Sequence, residues 1–236
     1  NMYIADVPTP LGLPFGYFPL TEDRASGFII PSFGDNQNRG YFLQNGGYYF
    51  NISDYVDLAV LGDYYTNGSY GLRAESSYAY RYRFSGNFNL RYEKLLNSEP
   101  GFPDFAETSI YNITFNHRQD PKANPSSVFS ASVNLGSSRY YRETINQTNT
   151  GNFLNNNMSS SISYNKTFSG EPGVNLTVAA THNQNINTPQ INMTLPSINA
   201  SMDRIYPFAP KSGTKKGIIQ NINFQYSFRG ENRFQT

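Results

Sequence analysis

From Tyr78 to Glu93 the chain alternates with a period of two. Tyr78, Tyr80, Tyr82, Phe84, Phe88, Leu90 and Tyr92 take even positions, while Arg81, Arg83, Ser85, Asn87, Asn89, Arg91 and Glu93 take odd ones. Such alternation gives a β-strand one apolar and one polar face. Ser85-Gly86-Asn87 reads as a three-residue hairpin loop, with Gly86 or Asn87 at positive φ. That turn would pair Phe84 with Phe88 and keep the apolar face continuous. The same period recurs at Tyr111–Phe115, Met158–Phe168, Val174–Ala180 and Ile222–Phe228. Strands are predicted at 27–33, 40–52, 56–66, 70–84, 88–95, 107–118, 128–138, 158–168, 174–183, 190–203 and 217–229, eleven in all, with no helix.

Strand length separates two all-β readings. Soluble sandwich strands have a mode of about 5–6 residues, whereas a strand that crosses a bilayer at a tilt needs about 9–11. Most strands predicted here have 8 to 15 residues. Tyr55, Tyr70, Tyr92, Tyr111, Tyr140 and Tyr141 fall at strand ends, as interfacial aromatic girdles require. The reading is therefore an antiparallel transmembrane β-barrel with its apolar face toward lipid and its polar face toward the lumen. A soluble β-rich structural or adhesion protein is the alternative. The longest predicted loop, Arg139 to Asn157, belongs outside the cell on this reading, because external loops are the longer ones.

Composition narrows the chemistry. Charged residues are 15% of the 236, the net charge is +1, aromatics reach 16%, and Cys is absent. A balanced charge without a basic stripe argues against a nucleic-acid partner. Without Cys there is no disulfide, no Cys-ligated zinc and no thiol nucleophile. Two histidines, His117 and His182, are expected as strand residues rather than metal ligands. No cofactor, no metal and no enzymatic activity are expected: Ser163-Tyr164-Asn165-Lys166 fits an S-x-x-K pattern but lies on a predicted strand without a partner base. The opening Asn1-Met2-Tyr3-Ile4 lacks the features of a signal peptide, so a mature product or an internal fragment is expected.

The stretch Leu13-Pro14-Phe15-Gly16-Tyr17-Phe18-Pro19-Leu20-Thr21-Glu22-Asp23-Arg24-Ala25-Ser26-Gly27-Phe28-Ile29-Ile30-Pro31-Ser32 breaks the alternation. It resembles the junction motif LPxxxFPxxxxRxSGFLxPS of the LPS-assembly outer-membrane family LptD (OstA). Leu13, Pro14, Phe18, Pro19, Arg24, Ser26, Gly27, Phe28, Pro31 and Ser32 match it, and Ile29 stands where the motif has Leu. The resemblance implies a junction segment over 1–26, leading from a periplasmic jelly-roll domain. Residues 27–236 would then be the first half or so of a large outer-membrane barrel in a Gram-negative bacterium. It implies insertion of lipopolysaccharide into the outer leaflet through a lateral gate between first and last strands. The partners it implies are membrane lipid, an LptE-like lipoprotein plug and periplasmic jelly-roll bridge proteins. The absence of Cys departs from the interdomain disulfides of well-known members. A porin or ligand-gated transporter barrel is the rival within the same fold.

Pro31, Gly46 and Gly47 are the expected gate residues. Pro31 removes one donor from the first strand, and Gly46-Gly47 interrupts the second with two residues that cannot pack side chains. On this view Val at 31 and Thr at 47 would stiffen the hairpin. The plainer reading is a strand edge and a bulge. Arg73, Glu75, Arg81, Arg83, Arg91 and Glu93 share the polar face and are expected to line the lumen, either as a solvated wall or as contacts for an anionic glycolipid or a plug.

Overall fold

The computed structural model describes residues 3–4, 7–8, 25–98, 101–145, 157–185, 187–188, 190–210 and 217–236. Two short strands, β1 (Tyr3–Ile4) and β2 (Val7–Pro8), form a separate ribbon. The rest is a single antiparallel sheet of twelve strands. They are β3 (Gly27–Ile29), β4 (Ser32–Asn36), β5 (Gly40–Ser53), β6 (Val56–Tyr65), β7 (Tyr70–Tyr80), β8 (Phe84–Asn97), β9 (Ala106–Gln119), β10 (Ser127–Gly136), β11 (Asn157–Phe168), β12 (Val174–Asn185), β13 (Gln190–Met202) and β14 (Ser227–Gln235). From β5 to β14 each strand pairs with its neighbours in sequence, and β3 and β4 both pair with β5. Among the described residues, the far edges of β14 and of β3–β4 carry no ladder partner.

Register carries the alternation across the sheet. One outward row runs Tyr48, Val60, Ala74, Leu90, Ile113, Leu135 as successive cross-strand partners. The next inward row runs Tyr49, Ala59, Glu75, Asn89, Thr114, Asn134. Side-chain hydrogen bonds tie the polar face together: Ser132 Oγ donates to Asn116 Oδ1 at 2.9 Å, and Thr177 Oγ1 to Asn165 Oδ1 at 2.8 Å. Exposure runs opposite to a soluble domain. Leu72, Leu90 and Tyr92 are 38–55% exposed, while Glu93, Asp63 and Asn112 are at most 6% exposed. The polar face is the sheltered one.

Four expectations change. The first predicted strand, 27–33, is two segments separated by Ile30–Pro31, and it runs on to Asn36. The hairpin turn expected at Ser85-Gly86-Asn87 lies instead at Arg81-Tyr82-Arg83, with Tyr82 at φ 60° and Tyr80 opposite Phe84. Gly86 belongs inside β8, where it faces Tyr78: a Cβ there would lie 2.3 Å from the Tyr78 hydroxyl and 2.3 Å from the Asn116 carbonyl oxygen. It is a glycine of close packing rather than of a turn, and the space lets the Tyr78 hydroxyl reach His117 Nδ1 at 2.7 Å. The last strand begins at Ser227 rather than 217. Its partner β13 ends at Met202, so residues 222–226 have no ladder to join beyond the single Ile205–Phe224 bridge, and a 3-10 turn forms at Ile219–Asn221. Finally, one helical turn, α1 (Tyr140–Glu143), breaks the expectation of no helix.

The connections after β5, β7, β9, β11 and β13 lie at one end of the sheet, and those after β4, β6, β8, β10 and β12 at the other. Residues 137–145, which follow β10, fold back onto the polar face. Tyr141 is buried beside Met158, and its hydroxyl accepts from Asn134 Nδ2 at 2.7 Å.

Candidate functional site at the first hairpin

Gly27 and Phe28 open β3, and Ser26 ties this entry to the sheet: its hydroxyl accepts the Asn51 N–H at 2.8 Å. Pro14, Pro19 and Arg24 of the junction motif lie outside the described residues. Phe28 meets Tyr48 edge to face at 4.9 Å between ring centroids, and Tyr48 leans on Phe50 at 4.6 Å. Three residue pairs join β3 to β5, from Gly27–Tyr49 to Ile29–Gly47. Five join β4 to β5, from Ser32–Gln44 to Asn36–Gly40.

Pro31 stands at the break between them. Its ring sits over Gly46, where a Cβ would come within 2.9 Å of the Pro31 Cβ. Gly46 and Gly47 do not interrupt β5, which runs unbroken from Gly40 to Ser53. Gly47 is needed for close approach: a Cβ would fall 2.0 Å from the Val60 carbonyl oxygen and 2.9 Å from the Leu61 Cα. A Thr at 47 therefore collides with the backbone of β6 instead of packing on it. The irregularity is a bulge just before the glycines. Leu43 pairs with Tyr64 and Gly46 with Gly62, so β5 has one residue more than β6 between those pairs. Asn45 takes φ 59° there, in the left-handed region that Asn tolerates better than most side chains.

A buried carboxylate holds the bulge. Asp63 is 3% exposed, and its Oδ1 accepts the Asn45 N–H at 2.7 Å. Arg73 Nη2 lies 3.8 Å from the same oxygen and also donates to Asn45 Oδ1. Nothing in the alternation marks Asn45 or Asp63. The usable signal was an acid in the run Leu61-Gly62-Asp63 together with an Asn just ahead of Gly46-Gly47.

The charged strip expected on the lumen wall separates into two groups. Arg73 and Arg91 are cross-strand partners on the sheltered face. Like charges placed opposite each other repel, and the acids around them offset this: Glu75 is 3.6 Å from Arg73, and Glu93 2.5 Å from Arg91. Glu93 is wholly buried and also accepts from Thr144 Oγ1 at 2.9 Å and from the Ile145 N–H at 2.8 Å, which pins the end of the α1 segment to the wall. Arg81 and Arg83, by contrast, lie in the β7–β8 turn and not on the wall; Arg81 stands 5.9 Å from the Tyr82 ring centroid. Odd positions stay on the polar face on both sides of this turn, since Tyr80 pairs with Phe84; Arg81 and Arg83 leave the wall only because they are the turn.

Apolar side chains outward and a sheltered polar face define the wall of an antiparallel transmembrane β-barrel. The family profile described as "LptD protein" matches residues 1–236, and the chain belongs to that family. The chain is 30% identical over 103 residues to the LPS-assembly protein LptD of Shewanella oneidensis, covering 42% of this chain and 13% of that protein. It is 36% identical over 90 residues to the protein of the same name from Idiomarina loihiensis, covering 37% and 11%. Its identity to the Bordetella pertussis protein of that name is 34% over 77 residues, covering 33% and 10%. The chain thus aligns with a small part of the length of each of these relatives.

Proposed function

We propose that this chain supplies the first strands of an outer-membrane barrel in a Gram-negative bacterium, and that the complete barrel inserts lipopolysaccharide into the outer leaflet. Residues 1–26 join a periplasmic jelly-roll domain to the barrel, and residues 27–236 begin its wall. Lipid leaves through a seam between the first strand and the last strand of the complete barrel. An LptE-like lipoprotein fills part of the lumen, and periplasmic jelly-roll bridge proteins deliver the lipid. The role is transport rather than catalysis.

One observation carries the reading. The edge strand of the sheet is held to its neighbour by two short ladders, three pairs and five, separated at a residue that has no N–H to donate. Edges are otherwise costly inside a bilayer, where no water satisfies unpaired backbone groups. A weakly laddered edge strand suits a wall that must part. Family membership and the names of the relatives supply the lipid. The chain enters the sheet at the end bearing the β5–β6 and β7–β8 turns, so that end faces the periplasm and the β10–β11 connection faces outward. Against the usual pattern, the β13–β14 connection is long and lies at the periplasmic end.

The test is a photo-reactive amino acid placed at Glu75 or Asn89 of the full-length protein in cells. An adduct with lipopolysaccharide that disappears when its supply to the outer membrane is cut supports passage along this wall. Equal adduct yield with supply cut, or none in either state, counts against it.

A further inference from the structure

We propose that Asp63 is a positioning residue of the seam: its carboxylate fixes the bulge at Asn45, and the bulge dictates where the first strand breaks. The proposal rests on reading the first hairpin as the seam.

The geometry runs in one direction. Between Leu43 and Gly46, β5 advances three residues while β6 advances two, from Tyr64 to Gly62. The extra residue reverses the parity of β5. Leu43 points outward ahead of the bulge, whereas Tyr48 and Phe50 point outward behind it. The first strand must follow. Between Ile29 and Ser32 it advances three residues while β5 retreats three, from Gly47 to Gln44, so no residue is gained or lost. Yet Phe33 stands opposite Leu43 and Phe28 opposite Tyr48, which is the same reversal from odd to even. A continuous ladder cannot reverse parity, so pairing lapses at Ile30–Pro31. Pro31 then costs no bond, because its place in the ladder is already lost.

Asp63 is what holds the reversal in place. It is buried, its oxygen accepts the N–H of Asn45 in the bulge, and Arg73 bridges it to the Asn45 side chain. Without an acceptor, the Asn45 N–H would lose its partner in the sheet, and sliding β5 by one residue would relieve it. The seam would then lose its built-in division. As it stands, the three-pair half at the end where the chain enters can part while the five-pair half stays closed.

The segment has no native Cys, so register can be read by disulfides in the full-length protein in its membrane. Cys pairs are placed one at a time at 43 and 64, ahead of the bulge, and at 48 and 60, behind it. Both pairs should close in the parent. With Asp63→Ala the strand slips, and the yield of one of the two pairs should fall about tenfold, because a one-residue slip carries a Cys to the opposite face. Asp63→Asn keeps an oxygen in place, so both disulfides should persist. The Asn45 amide should then exchange about tenfold faster with deuterium, since a neutral acceptor holds an N–H less tightly than a carboxylate. If Asp63→Ala fails to assemble, the Asp63→Asn exchange decides alone. Parental exchange in Asp63→Asn, or parental yield of both disulfides in Asp63→Ala, overturns the proposal. If register shifts and amide exchange changes, yet lipid reaches the outer leaflet at the parental rate, Asp63 does position the strand and the seam reading is what fails.

Discussion

Leu90 and Asn89 are neighbours on β8 with opposite surroundings, and they make the sharpest test of which face meets lipid. Leu90 is outward and 40% exposed, between Ala74 and Ile113. Asn89 is inward and donates to Thr114 Oγ1 at 3.1 Å. Leu90 lies six residues into the fourteen-residue strand, or about 20 Å along it at about 3.4 Å per residue. At a tilt of about 40° that is about 16 Å of height, close to the middle of an apolar band about 25 Å tall with its rims. Leu90→Arg therefore brings a guanidinium near the bilayer midplane and should cost about 2–4 kcal/mol. Asn89→Arg puts the same charge on the lumen wall beside Glu75, its cross-strand partner, and should cost under about 1 kcal/mol. The assay is urea unfolding of the full-length protein in lipid vesicles, with heat-shifted gel mobility as the check on assembly. A loss for Asn89→Arg as large as that for Leu90→Arg, or the reverse order, would refute the assignment of faces.

Gly86→Ala should displace the Tyr78 ring from His117 and cost about 1–3 kcal/mol in the same assay, since the new methyl meets a ring and a carbonyl oxygen. A parental melting point would show that Gly86 is not a packing glycine. Gly47→Thr should lower the yield of assembled protein, not raise stability, because its Cβ lies 2.0 Å from the Val60 carbonyl oxygen; higher stability would contradict the close approach. Glu93→Ala removes three partners from a wholly buried carboxylate and leaves Arg91 uncompensated. It should cost about 3 kcal/mol and open the 137–145 stretch to protease; unchanged cleavage there would mean that Glu93 does not pin it.

The period-two pattern carried most of the fold, because a sheet with lipid on one side and a polar lumen on the other writes its two faces into alternate residues. Ten of the strands could be placed from it to within a few residues. It failed where geometry overrides alternation. Gly86 reads like a turn residue, yet its missing side chain serves the Tyr78 ring one strand away. Residues 222–226 alternate as a strand does, but their partner strand has already ended. Pro31 and the Gly46-Gly47 pair were legible as irregular positions of the first hairpin. The reason for them was not: the bulge depends on a hydrogen bond between Asn45 and Asp63, eighteen residues apart. A bulge reverses parity without altering composition, so only pairing register can disclose it.

The central claim is that the first strand forms a seam through which lipid leaves. The direct measurement is a reversible disulfide between the outer edge of Gly27–Ile29 and the last strand of the complete barrel, formed in living cells. Lipopolysaccharide on the cell surface is followed with and without reductant. The account predicts that closing the disulfide stops surface delivery while the barrel stays folded, and that reduction restores it. Undiminished delivery with the two strands fully joined would contradict it.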